Sequence, residues 1–476
     1  MRPPTPGRFY YGGARWWRWP GMSGYGKKLG KPSVSGAVAV PAALPVVGHA
    51  PALLRDPLRF LSSLPTYGSL PVIHLGPMTA AVACTPELTG RILRDDRTFD
   101  KGGPVFERLR EGIGDGLGSC PRARHRRQRR LCQPAFHADR MPDYARVMTG
   151  RTAAALDGWA DGTVIDVHAE MLTLTARVAV DAMFSDALSA SQLRQALDDL
   201  TEVMGGVYRR AVLPPAVTRL PTPGNRSYHR ARARLWAALA AVVTARRSDP
   251  VDHGDLLSAL LAARDDNAEG ASGLTDEEIV SQTVTFFSGG AETTAATLSW
   301  ALYLVAAHPQ VERRLHAEAH AVLEGSEARF EHLPRLQLAK RVITEALRLY
   351  PPGWMFTRVA TADTELDGHP VPAGTTVAYS PYLIHRRGDL YETPDRFDPD
   401  RWAGTPPPRD GFIPFGGGAR RCIGDQFGLI HAVLALASIT AHCRLEPASS
   451  RVRPAVGLVL HPRGLRMRVR VRKDPH

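Results

Sequence analysis

The arrangement of apolar and polar residues predicts that most of the chain is helical. Apolar residues recur at helical spacing in four stretches, which are 140–265, 275–308, 336–350 and 427–437. The second stretch begins with Thr275-Asp-Glu-Glu278, a capping box in which a hydroxyl and a carboxylate stand three residues apart. The pattern therefore predicts a long helix that begins at this box and ends before Pro309.

Strand patterns are short and lie between the helical stretches. Residues 72–75 and 80–84 predict a hairpin, and the chain beyond Arg444 predicts several more short strands. Residues 101–120 contain six glycines, and we expect them to form an irregular loop. The fold class that follows is mainly α with small β-sheets.

The first 33 residues differ from the rest of the chain. They show no periodicity, and they carry seven basic residues and no acid within a chain whose net charge is +13. This segment could be a transit peptide, a tail that lies on a membrane surface or a disordered extension. Its few serines argue against a transit peptide. We expect a disordered basic leader over residues 1–33, with translation starting at Met1 or Met22.

The remaining residues, 34–476, are expected to form one domain. A length of 476 residues would suggest about three domains, but the candidate site residues described below are spread along the chain and must meet at one place. Residues 34–54 are apolar, yet prolines break them well short of the ~18 uninterrupted apolar residues of a membrane span. The five cysteines are odd in number and lack zinc-site spacing, which indicates a reducing compartment, the cytoplasm.

The candidate chemistry centres on Phe415-Gly-Gly-Gly-Ala-Arg-Arg-Cys422-Ile-Gly424. The glycines allow a sharp turn and a close approach to a flat ligand, and the cysteine stands among arginines just before a helical pattern. Nearby positive charge and a helix N-terminus both favour thiolate over thiol. Backbone N–H groups close to the sulfur would tune its donation to a metal. A buried structural cysteine after a glycine-rich turn is the alternative interpretation.

The spacing F-x-x-G-x-x-x-C-x-G resembles the haem-thiolate loop of the cytochrome P-450 superfamily. The resemblance implies that Cys422 ligates the iron of haem b. It also implies that Phe415, Gly418, Arg420 and Gly424 contact this cofactor.

An arginine-rich segment, 122–130, holds six arginines in nine residues. Such a run could bind nucleic acid, but no interleaved aromatic residues accompany it, so we expect no nucleic-acid partner. His125 and Arg129 stand four apart and share one helical face. In the superfamily this pair bonds the haem propionates, and Arg358 matches a further propionate position.

The long helix contains Gly289-Gly290-Ala-Glu292-Thr293-Thr294. Each glycine inside a helix costs roughly 1 kcal/mol relative to alanine, which indicates that something large approaches the helix here. The segment is similar to the superfamily pattern [AG]-G-x-[DE]-T-[TS] on the helix that crosses the distal haem face. By this resemblance Glu292 and Thr293 are the catalytic acid and alcohol of a proton route.

A fourth motif, Glu345-Ala-Leu-Arg348, matches the superfamily E-x-x-R, with Arg396 of Pro394-Asp-Arg-Phe397 as the third member of a structural network. The resemblance runs from about residue 40 to the C-terminus, and the motifs fall in the order of the superfamily. The residues expected to line the substrate pocket are Phe286, Gly289, Gly290, Trp354, Met355 and Phe356.

The resemblance implies a bacterial-type monooxygenase that inserts one oxygen atom of O2 into an unactivated C–H bond of an apolar secondary metabolite. Electrons would come from a ferredoxin and its NAD(P)H-dependent reductase, since no flavin or ferredoxin segment is recognised. The segment 208–226 resembles sesquiterpene-oxidising members, so we expect a sesquiterpene such as pentalenene. A macrolide or other polyketide and a fatty acid are alternative substrates. A haem-dependent isomerase or peroxygenase and a non-enzymatic haem binder are the alternative functions. We expect a monomer without a membrane span.

Overall fold

A computed structural model describes residues 34–472, apart from residues 35, 46, 76–77, 186, 213–214, 250, 265–272 and 450. The leader expected over residues 1–33 lies outside the described residues. The described chain is mainly helical with four small sheets, as the sequence predicts.

The helices and strands occur in the following order. The α-helices are α1 (Ala50–Arg55), α2 (Pro57–Ser63), α3 (Pro86–Arg94), α4 (Gly103–Ile113), α5 (Arg122–Cys132), α6 (Met141–Leu156), α7 (Val167–Phe184), α8 (Ala190–Val212), α9 (Pro215–Arg219), α10 (Pro223–Arg247), α11 (Leu256–Ala262), α12 (Asp276–Ala307), α13 (Pro309–Leu323), α14 (Gln337–Leu349), α15 (Pro381–Ile384) and α16 (Asp425–His442). The strands are β1 (Val72–Leu75), β2 (Met78–Ala83), β3 (Phe99–Asp100), β4 (Val164–Asp166), β5 (Phe356–Ala360), β6 (Thr364–Leu366), β7 (His369–Val371), β8 (Thr376–Tyr379), β9 (Cys443–Pro447), β10 (Arg453–Val456), β11 (Leu460–Arg463) and β12 (Arg466–Val471).

The largest sheet has the strand order β1-β2-β8-β5-β3. Its β2 and β8 strands are parallel and its other pairs are antiparallel. A second sheet has the order β4-β12-β9, and two hairpins, β6-β7 and β10-β11, complete the set. The hairpin predicted at 72–75 and 80–84 is confirmed, with its second strand beginning two residues earlier than predicted.

The 32-residue helix α12 runs through the interior. The predicted capping box is present at its start, and the helix ends at Ala307, before Pro309, as predicted. Side chains are buried around much of its circumference, which is typical of a helix enclosed by other helices. It packs against α7, α10, α14 and α16, and the indole of Trp300 stacks on the ring of Tyr350 with centroids 3.8 Å apart. None of the described helices is long and apolar enough to cross a bilayer.

The prediction of an irregular loop over residues 101–120 is wrong for its first half, which forms α4. Val105, Phe106 and Leu109 give this short helix an apolar face, and the glycines lie mainly at its two ends. Gly114 has a φ of 79° and ends the helix. The glycines that follow allow the chain to approach α12 closely, since a Cβ on Gly116 would lie 2.3 Å from the Thr285 hydroxyl.

Candidate active site

The cysteine loop is a tight turn that leads into α16. Gly416 and Gly418 have φ values of 68° and 62°, and a Cβ on Gly418 would lie 2.1 Å from the Leu93 carbonyl oxygen. Only glycine tolerates this combination of conformation and contact. The Cys422 N–H donates to the Phe415 carbonyl oxygen across the turn, at 2.9 Å. The loop therefore fixes the position of the cysteine through its backbone.

The Cys422 sulfur lies deep in the molecule but is open to solvent on one side. Burial raises the pKa of this thiol, while an N–H from Gly424 and the charges of Arg129 and Lys101 oppose the rise. Those same groups would stabilise a thiolate once a cation bound it. A sulfur with an open side and N–H support is suited to ligating a metal.

Of the two glycines on α12, Gly289 has open space beside it and Gly290 does not. Gly289 is exposed and nothing lies within 4 Å of the position that a Cβ would take. Gly290 faces α7 instead, where a Cβ would lie 3.5 Å from that of Ala179. Thr175 of α7 donates to the Ala291 carbonyl oxygen at 2.8 Å, which secures this turn from the far side.

The acid and the alcohol follow on the same turn of α12. Thr293 donates its hydroxyl to the Gly289 carbonyl oxygen. The Glu292 side chain is partly exposed, but protein atoms surround its carboxyl closely. This burial raises the pKa of the carboxyl to about 7. The next hydroxyl, that of Thr294, is buried and lies 3.7 Å from the Cβ position of Gly428, near the start of α16. The acid–alcohol turn thus lies beside the helix that the cysteine loop begins.

Four buried or half-buried cationic or basic side chains converge near the cysteine loop: Lys101, His125, Arg358 and Arg420. Arg420 donates to the Cys120 carbonyl oxygen at 2.8 Å and pairs with Asp100. Lys101 donates to the carbonyl oxygens of Leu117 and Gly118 at 3.1 and 2.8 Å. Burial, together with Arg358 and Arg420, lowers the pKa of Lys101 to about 7. We call these four residues the cationic cluster.

His125 and Arg129 lie on one face of α5, as predicted. His125 is buried, and burial followed by the charges of Arg420, Lys101 and Arg129 lowers the pKa of its imidazole to about 3. Arg129 is half-buried and donates to the carbonyl oxygen of Arg421, the residue before Cys422. Its guanidinium therefore tethers α5 to the cysteine loop.

The cationic cluster fits an anionic ligand. Asp100 is the one acid that contacts it directly among the contacts described for these side chains. His125 Nδ1 and Arg420 Nε are buried without a hydrogen-bond partner in the described part of the chain. Buried polar atoms rarely remain unpaired, and each one costs about 1–3 kcal/mol. The two propionates of a haem would supply both negative charge and acceptors at this place, beside the cysteine. Of this cluster, Lys101 was missed by the sequence motifs, because Arg358 and Arg420, the cations that fold beside it, lie hundreds of residues away along the chain.

The E-x-x-R motif forms a fully buried ion pair. Arg348 binds both carboxylate oxygens of Glu345, each at 2.8 Å, and neither side chain is exposed. Arg348 also donates to the His385 carbonyl oxygen at 3.0 Å, and the His385 ring accepts the Ile413 N–H at 2.8 Å. This chain of contacts connects the ion pair to the segment that enters the cysteine loop.

Arg396, the expected third member of this network, contacts it through its backbone and not through its side chain. Arg396 is exposed and contributes its carbonyl oxygen, which accepts from Arg348 at 3.1 Å. The second guanidinium on Glu345 is that of Arg401, at 3.1 Å, and the Trp402 indole adds a bond of 2.9 Å. Glu345 sits in a pocket that these later residues enclose, which the spacing of Pro394-Asp-Arg-Phe397 does not reveal.

The expected pocket residues divide into two groups. Phe286, Met355 and Phe356 are partly exposed, and Phe286 packs edge-on against Phe136 with ring centroids 5.2 Å apart. Trp354 differs from the prediction, because its indole is buried and donates to the Gly457 carbonyl oxygen at 2.8 Å. It belongs to the core beside the large sheet and is not a free pocket wall.

Comparison with known proteins identifies the family. The family model for cytochrome P450 matches residues 38–469, and the chain belongs to this family. Pentalenene oxygenase of Streptomyces avermitilis is 42% identical over 445 residues, which cover 92% of this chain and 98% of that protein. The cyclooctat-9-en-7-ol 5-monooxygenase of Streptomyces melanosporofaciens is 44% identical over 411 residues, covering 86% and 89%. Among solved structures, the haem domain of cytochrome P450DA matches with a TM-score of 0.83 and 27% identity, over 92% of this chain and 98% of that one.

Membership of this family confirms the fold class and the type of enzyme. The chain is an oxygen-incorporating oxidoreductase that holds a haem through a cysteine thiolate. It uses O2, an apolar substrate and a source of electrons.

Proposed function

We propose that this cytochrome P450 hydroxylates an unactivated C–H bond of an apolar terpene of the sesquiterpene type, with pentalenene as the first candidate. The observation that carries the proposal is the likeness to pentalenene oxygenase, which extends over nearly the whole of both chains. The lining supports it, since Phe286, Met355 and Phe356 are apolar and partly exposed and bring no charge that would anchor a polar substrate.

The residues of the site have separate roles in this proposal. Cys422 ligates the iron, and the cationic cluster with Arg129 binds the propionates of the haem. When bound, the haem supplies oxygen activation, which the electron-donating thiolate promotes. The Glu345–Arg348 pair, acting through His385 and Ile413, holds the cysteine loop in place. The protein thereby sets the ligation and orientation of its cofactor.

Glu292 and Thr293 move protons to the oxygen-binding side of the haem. A carboxyl whose pKa is near 7 can lose and regain a proton at working pH, which is the property that a proton relay needs. Thr293 presents a hydroxyl one residue further on, beside the open space at Gly289. Phe286, on the same helix, and Met355 add apolar side chains that would help to exclude bulk water from the pocket.

Electrons arrive, in this proposal, from a ferredoxin reduced by an NAD(P)H-dependent reductase. A surface hollow of about 670 Å³ lies next to Arg129 and is bordered by Arg130, His137 and Arg140, with Asp139 as its one acid. Arg126 is exposed on the same helix, α5. Positive charge on this surface, where Arg129 contacts the residue before Cys422, suits an acidic redox protein. We also propose that the protein is a monomer in the cytoplasm. In the same proposal residues 1–33 form a leader and residues 34–476 form one domain.

Turnover under ¹⁸O2 tests the function directly. The purified holoenzyme, a ferredoxin, its reductase and NADPH are incubated with pentalenene, and the products are separated by gas chromatography and mass spectrometry. A hydroxylated product with one ¹⁸O atom, formed only when NADPH is present, supports the proposal. Tight pentalenene binding without any oxygenated product, or a rearranged product without ¹⁸O, would refute it.

The likeness to the cyclooctat-9-en-7-ol 5-monooxygenase favours a second class of substrate, a cyclic alcohol. The name of the Streptomyces melanosporofaciens monooxygenase describes action on a ring compound that already carries an alcohol, and that protein is 44% identical to this chain. A panel should therefore include cyclooctat-9-en-7-ol, a macrolide and a fatty acid. Comparison of kcat/KM across the panel ranks these substrates against pentalenene.

A further inference from the structure

Two glutamine side chains are buried between α5 and α12. Gln128 on α5 is 1% exposed, and Gln282 on α12 is fully buried. The Gln282 Nε2 donates to the Gln128 Oε1 at 3.0 Å. A side-chain amide is costly to bury unless its donors and acceptors are paired, so the other partners of this pair show what it holds.

Both ends of the amide pair are bonded to one loop, residues 115–120. The Leu117 N–H donates to the Gln282 Oε1 at 3.0 Å, and the Gln128 Nε2 donates to the Asp115 carbonyl oxygen at 3.1 Å. A backbone N–H can only donate and a carbonyl oxygen can only accept, so the two ends fix the orientation of both amides. We call Gln128 and Gln282 the amide relay.

The same loop orients two members of the cationic cluster. Lys101 donates to the carbonyl oxygens of Leu117 and Gly118 at 3.1 and 2.8 Å. Arg420 donates to the Cys120 carbonyl oxygen at 2.8 Å. Leu117 therefore bonds the amide relay through its N–H and a cation of the cluster through its carbonyl oxygen.

Packing alone does not set the direction of these carbonyl groups. Gly116 brings the loop against α12, since a Cβ there would lie 2.3 Å from the Thr285 hydroxyl. That contact limits the distance between the loop and the helix, whereas hydrogen bonds depend on angle and limit its rotation. Gln128 also stands one turn after His125 on α5, so the relay connects the loop to the helix that carries a third member of the cluster.

We propose that Gln128 and Gln282 are positioning residues for the haem. Through residues 115–120 they hold Lys101 and Arg420 in the orientation in which these cations bind the propionates. The proposal rests on the proposed binding of the propionates by the cationic cluster, and it does not depend on which substrate the enzyme oxidises.

Transfer of haem from the holoenzyme to excess apomyoglobin tests the proposal without turnover. Gln282→Met removes the amide and keeps a side chain of similar length. It should speed haem loss about five- to tenfold, which is less than the loss of Lys101 itself, because the lysine is still present but is no longer aimed. Thr283→Val is the matched control and should lose haem at the wild-type rate. Thr283 is also buried, and its hydroxyl donates to the Ile279 carbonyl oxygen within α12 at 2.8 Å.

A double-mutant cycle separates positioning from a general loosening of the fold. In a Lys101→Met background one of the two cations that the relay aims is already missing. The effect of Gln282→Met on the rate of haem loss should therefore shrink to less than about threefold. An effect of Gln282→Met that is equally large in both backgrounds would mean that the glutamine only supports the fold, and it would overturn the proposal.

Gln282→Glu gives a second readout. A protonated carboxyl can accept from the Leu117 N–H and donate to Gln128 as the amide does, whereas a carboxylate cannot donate. Burial raises the pKa of a carboxyl, so this variant should retain haem like the wild type at acidic pH. As pH rises and the carboxyl ionises, its rate of haem loss relative to wild type should rise about five- to tenfold. Comparison with wild type at each pH removes titrations that both proteins share, that of Lys101 included.

Two further outcomes would overturn the proposal. One is haem loss from Gln282→Met that is no faster than from Thr283→Val. The other is a relative rate for Gln282→Glu that does not change with pH. If Lys101→Met also loses haem at the wild-type rate, the binding of the propionates by the cationic cluster fails as well. If Lys101→Met loses haem faster, only the amide relay fails.

Discussion

Thr293 donates its hydroxyl to the carbonyl oxygen of Gly289, one turn earlier in α12. That carbonyl stands where the helix has open space beside it, and the hydroxyl is therefore held at the edge of this space. A threonine that bonds back to the preceding turn weakens the backbone ladder slightly. The arrangement places a hydroxyl group, one residue after Glu292, at the edge of this open space, as the proposed proton route requires.

Replacing Thr293 with alanine should uncouple electron consumption from product formation. A positioned proton donor contributes about 10²–10⁴-fold to a step of this kind, so product per NADPH should fall at least about tenfold. The missing electrons should appear as hydrogen peroxide, measured with a peroxidase assay beside NADPH consumption. Haem content and substrate affinity should not change.

Two variants control that experiment. Thr293→Ser keeps the hydroxyl and should remain coupled. Thr294→Ala removes a buried hydroxyl that faces Gly428 on α16, about 100° around the helix, and should have little effect. If Thr294→Ala uncouples while Thr293→Ala does not, the assignment of the alcohol is off by one residue.

Turnover should depend on pH through Glu292. Burial raises the pKa of this carboxyl to about 7, so it is protonated and able to donate below that pH and is a carboxylate above it. We expect kcat to be level in the acidic range and to fall as pH rises through about 7, approaching tenfold per pH unit. Steady-state rates at saturating ferredoxin measure this profile.

The Glu292→Gln variant should be slow and flat across the same range, with a changed solvent isotope effect, whereas Glu292→Asp should keep a titration. An unaltered profile in the glutamine variant would assign the titration to another group.

The sequence predicts the central helix and the cysteine loop well, because their signals are local. A capping box and a run of apolar residues define α12 without knowledge of the rest of the fold. The glycines before Cys422 likewise mark a turn with positive φ values, which residues with a side chain rarely adopt. Residues 101–120 were mispredicted because six glycines outweighed the eight-residue run Pro104–Glu111, which is helical. Glycines at the ends of a helix mark its limits and do not exclude it.

Features that depend on distant parts of the chain could not be predicted in the same way. Lys101 becomes part of the cationic cluster only when Arg358 and Arg420 fold beside it. Trp354 looks like an apolar wall in sequence, yet the carbonyl of Gly457 captures its indole. Arg401 replaces the Arg396 side chain for a similar reason.

Lys101 should contribute to haem retention. A hydrogen bond to a charged group is worth about 1.5–3 kcal/mol, so Lys101→Met should speed haem loss about 10- to 100-fold. Transfer of haem to excess apomyoglobin measures this rate, and it requires no turnover. Lys101→Arg should restore most of the retention. If Lys101→Met loses haem no faster than wild type, the lysine serves only the carbonyls of Leu117 and Gly118.

The buried ion pair should dominate stability over the exposed arginine. Glu345→Gln leaves the charge of Arg348 buried without its partner and should lower the free energy of unfolding by about 3–5 kcal/mol. Arg396→Ala, on an exposed side chain that contributes only its carbonyl, should change it by less than about 0.5 kcal/mol. Arg401→Ala should fall between them. Urea unfolding of the three holoenzymes compares these values, and a larger loss for Arg396→Ala than for Arg401→Ala would contradict the observed contacts.

The ferrous–CO spectrum of Cys422 variants tests directly whether Cys422 ligates the haem iron. The wild type should give a strongly red-shifted Soret band, as a thiolate-ligated haem does. Cys443→Ser, which changes a buried cysteine at the far end of α16, should keep this band. Cys422→His should retain haem through the cationic cluster but show the unshifted band of a histidine-ligated haem. A red-shifted band that persists in Cys422→His, or that is absent from the wild type, would contradict ligation of the iron by the Cys422 thiolate.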